Sequence, residues 1–201
     1  MAPNKVRAWA GCALLVPLLA SCFTSVNPVP YPAAWRPVRP TATQSCPKIE
    51  GTYRDQGEVA GGGPRSCTYP ECGSLAFNLL SDPYVFSKGN APSGGVVRIN
   101  QPSAGRVEVS GGPRRVREEL SLAAGDFVCD ASGLRLRTKS TGLFLVLENS
   151  INEESRIFNV ADDGSLVMKA EWHNRANQLV AGYSNSGEVW VRWERLPQPG
   201  E

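Results

Sequence analysis

The sequence predicts a mainly β protein, in which an antiparallel meander forms a barrel or a sandwich and is joined by one short helix and a proline-rich N-terminal tether. Short stretches that alternate apolar and polar residues recur, as in Arg106-Val107-Glu108-Val109. Turn-forming residues separate them, as in Asp162-Asp163-Gly164. No regular alternation with long helical patterns is present, which disfavours a parallel sheet. Closing or stacking antiparallel sheets would protect their edges.

The N-terminal segment is typical of a secretory signal. Lys5 and Arg7 give a positively charged start, and residues 8–20 are almost all apolar. A helix needs about 20 consecutive apolar residues to cross a bilayer, so this run is too short for a retained transmembrane helix. The sequence therefore predicts that the segment is removed.

The signal segment ends in Leu19-Ala20-Ser21-Cys22, which resembles the signal of bacterial lipoproteins. The resemblance implies that Cys22 carries a diacylglyceryl group, that the chain is cut before it, and that its amino group is acylated with a fatty acid such as palmitate. An Asp after the Cys would favour inner-membrane retention, whereas Phe23 implies an outer-membrane protein facing the periplasm. The alternative is an ordinary secretory signal with an incidental Cys.

These features divide the chain into a signal peptide at residues 1–21, a tether at 22–45 and a β domain at 46–201. The full chain has 21 basic and 19 acidic residues. Removing the signal takes away two basic residues, so the mature chain is near neutrality, and no nucleic-acid partner is expected. The basic run at residues 114–117 is followed by Glu118-Glu119, which is typical of a solvated loop or strand edge.

Four cysteines remain besides the lipidation site: Cys46, Cys67, Cys72 and Cys129. An even number in an oxidising compartment predicts two disulfides. Three pairings are possible, and we favour Cys67–Cys72 with Cys46–Cys129. A metal site is disfavoured because the sequence has no Cys-x-x-Cys and its one histidine is His173.

The tether is rich in proline and has no apolar periodicity, which predicts an extended, semi-rigid spacer. Tyr31 and Trp35 in this segment are expected either to pack on the domain or to touch the membrane interface, and packing is preferred. Beyond the tether, residues 57–73 predict a long loop, and residues 74–80 a short helix with Ser74 as its N-cap, for which a strand is the alternative. Strands are predicted at 49–53, 96–99, 106–109, 126–129, 134–137, 143–147, 156–160, 165–170, 179–183 and 188–196.

Gly51-x-Tyr53 on the first strand, with Arg192 or Arg195 on the last, resembles the calycin (lipocalin-like) pattern. In that family a Gly-x-Trp on strand one is covered by an Arg from the final strand, through a cation–π contact that closes one end of the barrel. Tyr53 stands where the family has Trp, and the family's second motif is absent. The resemblance implies a barrel-closing role for these four residues.

No catalytic constellation, metal set or cofactor motif is visible in the mature chain. His173 has no evident nucleophile partner. The pair Glu153-Glu154 is interpreted as solvated carboxylates on a loop, and Asp162-Asp163-Gly164 as a hairpin turn instead of a calcium loop, because the spaced acids of such a loop are missing. No enzymatic activity and no cofactor are therefore expected.

The sequence favours a non-enzymatic envelope lipoprotein with a structural or protein-interaction role, attached to the membrane through the lipid on Cys22. The alternative is a lipocalin-like carrier that binds a small apolar ligand or a lipid. Large residues at predicted inward positions favour a filled core over a ligand cavity. These residues are Phe127, Phe144, Phe158 and Trp193.

Overall fold

A computed structural model of the protein describes residues 28–41, 45–60, 73–79, 95–111, 116–144, 148–178 and 182–197. Within these ranges, ten strands, numbered in chain order, form two antiparallel sheets. The four-stranded sheet has the order β1 (Gly51–Arg54), β3 (Val96–Ser103), β4 (Arg106–Gly111) and β5 (Val116–Ser121). The six-stranded sheet has the order β2 (Glu58–Ala60), β10 (Gly182–Trp193), β9 (Leu166–Gln178), β8 (Glu148–Val160), β7 (Gly133–Phe144) and β6 (Phe127–Asp130).

The predicted mainly β fold is confirmed, in the form of two sheets and not of a closed barrel. At one side the sheets are joined in two ways. A short segment, residues 55–57, connects β1 to β2, and the chain after β10 makes backbone hydrogen bonds to β1. The Arg54 amide donates to the Glu194 carbonyl (3.1 Å), and the Leu196 amide donates to Thr52 (2.7 Å). At the other side a turn at residues 122–125 carries the chain from β5 to β6, and no ladder between these two strands is present in the described part of the chain.

The inner faces of both sheets meet in one apolar core. Its largest fully buried side chains are Trp193, Tyr53, Phe127 and Phe158, and the rings of Phe158 and Trp193 stack at 6.3 Å. On β10, alternate residues from Val189 to Trp193 face this core while the residues between them face outward, which confirms the predicted period of two. The side chain of Phe144 lies outside the described part of the structure.

The predicted short helix is present as α1 (Leu75–Leu79), and Leu75, Ala76 and Leu79 join the core. The buried carboxylate of Asp55, at the corner between β1 and β2, accepts hydrogen bonds from the Ser74 hydroxyl (3.0 Å) and the Ala76 amide (2.8 Å). The side chain that caps this helix is therefore Asp55 of the sheet corner, and the hydroxyl of Ser74, the predicted N-cap, bonds the same carboxylate. Arg156 on β8 donates to the Asn78 carbonyl at the other end (3.0 Å).

A disulfide links Cys46, just before β1, to Cys129 on β6. Because β1 and β6 belong to different sheets, this bond crosses the sandwich. Of the two predicted disulfides, it is the one that closes the longer loop of the chain. Cys67 and Cys72 lie outside the described residues, and so does Cys22.

Several predicted boundaries were wrong. The segments predicted at 134–137 and 143–147 belong in part to one strand, β7, which reaches Phe144. Glu153-Glu154 lies on β8 and not on a loop, so its two side chains face opposite sides of the sheet. By contrast, Val116 and Arg117 of the charged run lie on β5, an edge strand of the four-stranded sheet, which agrees with the strand-edge interpretation. No helix in the described ranges is long and apolar enough to cross a membrane.

Candidate functional site

The Gly51-x-Tyr53 pattern has a clear structural basis. The Tyr53 ring folds back over Gly51, and its hydroxyl donates to the Ile49 carbonyl at 3.0 Å. A Cβ on Gly51 would lie 2.9 Å from the ring atoms, so glycine is needed beneath the ring. Burial of the hydroxyl raises the pKa of Tyr53 to about 12, although the nearby charge of Arg195 acts in the opposite direction.

The structure brings only one of the two predicted arginines to this motif. Arg195 forms a β-bridge with Tyr53, where the chain leaves the six-stranded sheet. Arg192 lies on the outer face of that sheet and pairs with Asp163 (2.7 Å) and Glu58 (3.7 Å). Gly51, Tyr53 and Arg195 therefore belong to the junction between the two sheets, and Arg192 does not.

Residues 28–41, here named the strap, lie on the outer face of the six-stranded sheet. Trp35 is only 6% exposed and packs with Ala161 and Val167. Tyr31 makes edge contacts with Trp35 and with Trp190 on β10, at centroid distances of 5.8 and 5.1 Å. The preferred prediction for Tyr31 and Trp35, packing on the domain, matches these contacts.

Backbone and side-chain hydrogen bonds hold the strap along its length. The Arg39 amide donates to the Val160 carbonyl, and the Asp162 amide donates to the Pro37 carbonyl, both at 2.9 Å. Nearer the N-terminus, the Trp190 indole donates to the Val29 carbonyl at 2.9 Å. The strap is thus docked on the domain, whereas the proline pattern alone predicts a spacer that stands away from it.

Glu188 on β10 joins the strap to a charged row of the sheet. It accepts from the Val29 amide (3.0 Å) and from Lys169 (2.8 Å), and Lys169 also donates to Glu171 (2.8 Å). Glu171 and Glu188 face each other across β9 and β10, an arrangement that is unfavourable without a cation between them. Partial burial would lower the pKa of Lys169, but the hydrogen bonds and charges of the two glutamates outweigh it and raise the pKa.

Beyond the strap, the same outer face contains a polar depression of about 490 Å³ across β7, β8 and β9. Arg137, Ser155 and Glu171 lie side by side on the three strands, because Ser155 pairs with both of the others in the sheet register. The sheet therefore sets a positive, a neutral and a negative side chain in one row. The remaining lining residues are Arg135, Glu153, Glu154, Trp172 and His173.

Three hydrogen-bond donors at this depression are unused within the described residues. Arg135 uses Nη2 to bond Ser132 (2.9 Å) and to pair with Asp130 (3.4 Å), while its buried Nε has no partner. The Ser155 hydroxyl is also buried without a partner. Arg137 is exposed, and none of the described residues bonds it. A ligand with an acceptor group could therefore accept hydrogen bonds from these donors.

The other predicted polar residues have structural partners. His173 lies in the depression, where its Nε2 accepts a hydrogen bond from Arg175 (2.7 Å). The Asp162-Asp163-Gly164 segment is a hairpin turn between β8 and β9, in which Gly164 has φ +82° and Asp163 accepts from the Ser165 amide. The described ranges contain no cluster of three or more potential metal ligands.

Sequence reasoning did not identify Arg135, Arg137 and Ser155 as a group. The alternation of Leu134 to Arg137 places the two arginines on one outer face, which is a usable signal. Their position beside Ser155 depends on the register between β7 and β8, which the sequence does not state.

No known family, curated protein or solved structure matches the chain.

Proposed function

We propose that this protein is a non-enzymatic lipoprotein of the bacterial cell envelope, anchored through Cys22 in the outer membrane and facing the periplasm. Its β domain has a structural or protein-interaction role and binds its partners at its surface. The filled core is the observation that carries the choice of a surface role over a carrier role. The Leu19-Ala20-Ser21-Cys22 motif supports the anchor.

A carrier of an apolar ligand needs an open interior between its strands. Here the corresponding space holds Trp193, Tyr53, Phe127 and Phe158, each at most 1% exposed. Leu75, Ala76 and Leu79 of α1 add to the same core. This packing supports the interaction role, and the lipocalin-like carrier is the alternative that the filled core disfavours.

Because the strap is docked on the domain, a lipid anchor at Cys22 would hold the domain close to the membrane. Only five residues lie between Cys22 and residue 28, where the strap begins, and each of the six steps along an extended chain spans at most about 3.6 Å. The domain would therefore be held within about 22 Å of the lipid. An undocked tether over residues 22–45 would allow about 75 Å at the 3.1 Å rise of an extended proline-rich chain.

Labelling with radioactive palmitate in a bacterial host tests the anchor. We expect the wild-type chain to take up the label and Cys22→Ser to lose it, because the serine hydroxyl cannot form the thioether. Cys12→Ser, which changes a cysteine of the same signal outside the motif, is the matched control and should label normally. Label that persists in Cys22→Ser, or that never enters the wild type, would contradict the proposal.

Native mass spectrometry tests the surface role. The purified protein should carry no apolar adduct that leaves when the protein is denatured, apart from its covalent lipid. A stoichiometric lipid or small apolar molecule that is released on denaturation would favour the carrier alternative instead.

A further inference from the structure

We propose that the depression on β7, β8 and β9 binds a small amino-carboxylate, namely a short peptide with a free carboxylate and a free ammonium group. This inference rests on the proposed interaction role, for which it names the chemical class of the partner. It does not depend on the lipid anchor. Binding and anchoring are therefore tested separately, and either can fail alone.

The carboxylate would be held at the β7 side of the depression. None of the described residues bonds the guanidinium of Arg137, and Ser155 stands directly opposite it on β8. The Nε of Arg135, two residues along the same face, is buried and has no acceptor among the described residues. All three groups are donors, and guanidinium groups bind carboxylates through strong charge-assisted hydrogen bonds. The Arg135 Nε and the Ser155 hydroxyl are buried without a hydrogen bond, which lowers the stability of the fold. A ligand oxygen that accepts from them would offset this cost.

The ammonium group would lie at the β9 side. Lys169 bonds only Oε1 of Glu171, so Oε2 can accept from a ligand. Glu153 adds a second negative charge on the neighbouring strand. Adjacent strands are about 4.8 Å apart, so the backbones of β7 and β9 are separated by about 10 Å. The long side chains of Arg137 and Glu171 can reduce this distance to the span between the two charged ends of a short peptide. A volume of about 490 Å³ is in the range of small-ligand sites.

The acidic β9 side also excludes the simplest competing ligand. Phosphate carries more negative charge than a carboxylate and brings no cation to satisfy Glu171, so its binding there would be opposed. A zwitterion matches the order of positive, neutral and negative side chains across the three strands. This charge order, and not the arginines alone, selects the amino-carboxylate.

A second depression, of about 560 Å³, lies on the outer face of the four-stranded sheet and is a useful contrast. Its charged residues largely satisfy one another. Arg117 pairs with Glu108 (3.6 Å), and the adjacent Arg106 pairs with both Glu108 (3.3 Å) and Glu119 (2.7 Å). Among the described residues that line this second depression, none has a buried donor without a partner like the Arg135 Nε or the Ser155 hydroxyl.

The test is a titration of the full-length ¹⁵N-labelled chain in detergent, followed by NMR. The probes are L-alanyl-L-alanine and D-alanyl-D-alanine, with acetate, ethylamine and inorganic phosphate as comparisons. We expect at least one dipeptide to shift amide signals at residues 135–137, 153–155 and 171–173 in a saturable way. Acetate, ethylamine and phosphate should each bind at least about tenfold more weakly, because each engages only one side of the row.

Variants locate the binding. Arg137→Gln should weaken dipeptide binding about tenfold, as expected for the loss of a charge-assisted hydrogen bond. Arg98→Gln, an exposed strand arginine beside the second depression, is the matched control and should leave binding unchanged. Neither residue is buried, so both variants should fold. Absence of saturable shifts with both dipeptides, equal binding of phosphate, or equal effects of the two variants would overturn the proposal.

Discussion

Removal of the disulfide between Cys46 and Cys129 should strongly destabilise the sandwich, because this bond connects its two sheets. The two cysteines are 83 residues apart in the sequence. In the chain-entropy description, a cross-link that closes such a loop stabilises the folded state by about 4.5 kcal/mol at 25 °C. For a chain of this size each kcal/mol corresponds to about 2–4 °C in Tm, so the double variant Cys46→Ser/Cys129→Ser should melt about 9–18 °C lower.

The assay is thermal unfolding of the oxidised full chain, followed by circular dichroism. Cys67→Ser/Cys72→Ser is the matched control, since a bridge between those residues would close a loop of only about six residues and contribute about 2 kcal/mol. We therefore expect the Cys46/Cys129 variant to lose about twice as much stability as the control. Equal losses, or a fall in Tm of less than about 4 °C for the Cys46/Cys129 variant, would refute the reasoning that a long cross-link between the sheets stabilises the fold.

Three further predictions follow from named contacts. Gly187→Ala should cost about 1–3 kcal/mol in urea unfolding, because its Cβ would lie 2.1 Å from the Trp172 ring, whereas Gly105→Ala, with its nearest contact at 3.7 Å, should be nearly neutral. Tyr53 has a pKa of about 12 in the folded state against 10.0 when unfolded, so the stability that its neutral hydroxyl provides is fully present below pH 10 and is lost as pH rises to 12. Relative to Tyr53→Phe, the free energy of unfolding of the wild type should fall by roughly 2–3 kcal/mol over that interval. Parallel pH profiles of the two proteins would contradict this. Trp35→Ala should detach the strap and speed its cleavage by trypsin while the domain stays folded; an unchanged cleavage rate would show that Trp35 does not hold the strap.

The sequence predicted the fold class because period-two alternation survives wherever a strand covers the core. Val107 and Val109 on β4, and the residues of β10 from Val189 to Trp193, are buried at alternate positions and were found in this way. The middle of β7 and the start of β8 were missed, because these segments are polar and give no apolar signal. Their strand structure comes from pairing with neighbouring strands, which is tertiary information.

The strap shows a different limit of sequence reasoning. Its prolines predict an extended chain, which is correct for the local conformation but does not determine what the chain contacts. Docking depends on two aromatic residues, Tyr31 and Trp35, that find Trp190 and Val167 more than 130 residues later. The depression was missed for a related reason: Arg137, Ser155 and Glu171 meet only through strand register.

The intact mass of the protein extracted from bacterial membranes tests the proposed anchoring most directly. We predict a chain that begins at Cys22, lacks residues 1–21, and carries the mass of a diacylglyceryl group and one further acyl chain on its N-terminal residue. The Cys12→Ser chain should give the same mass, because residue 12 leaves with the signal. A chain that keeps its N-terminal segment, or one that begins near residue 22 without lipid, would contradict the anchoring on which the proposed function depends.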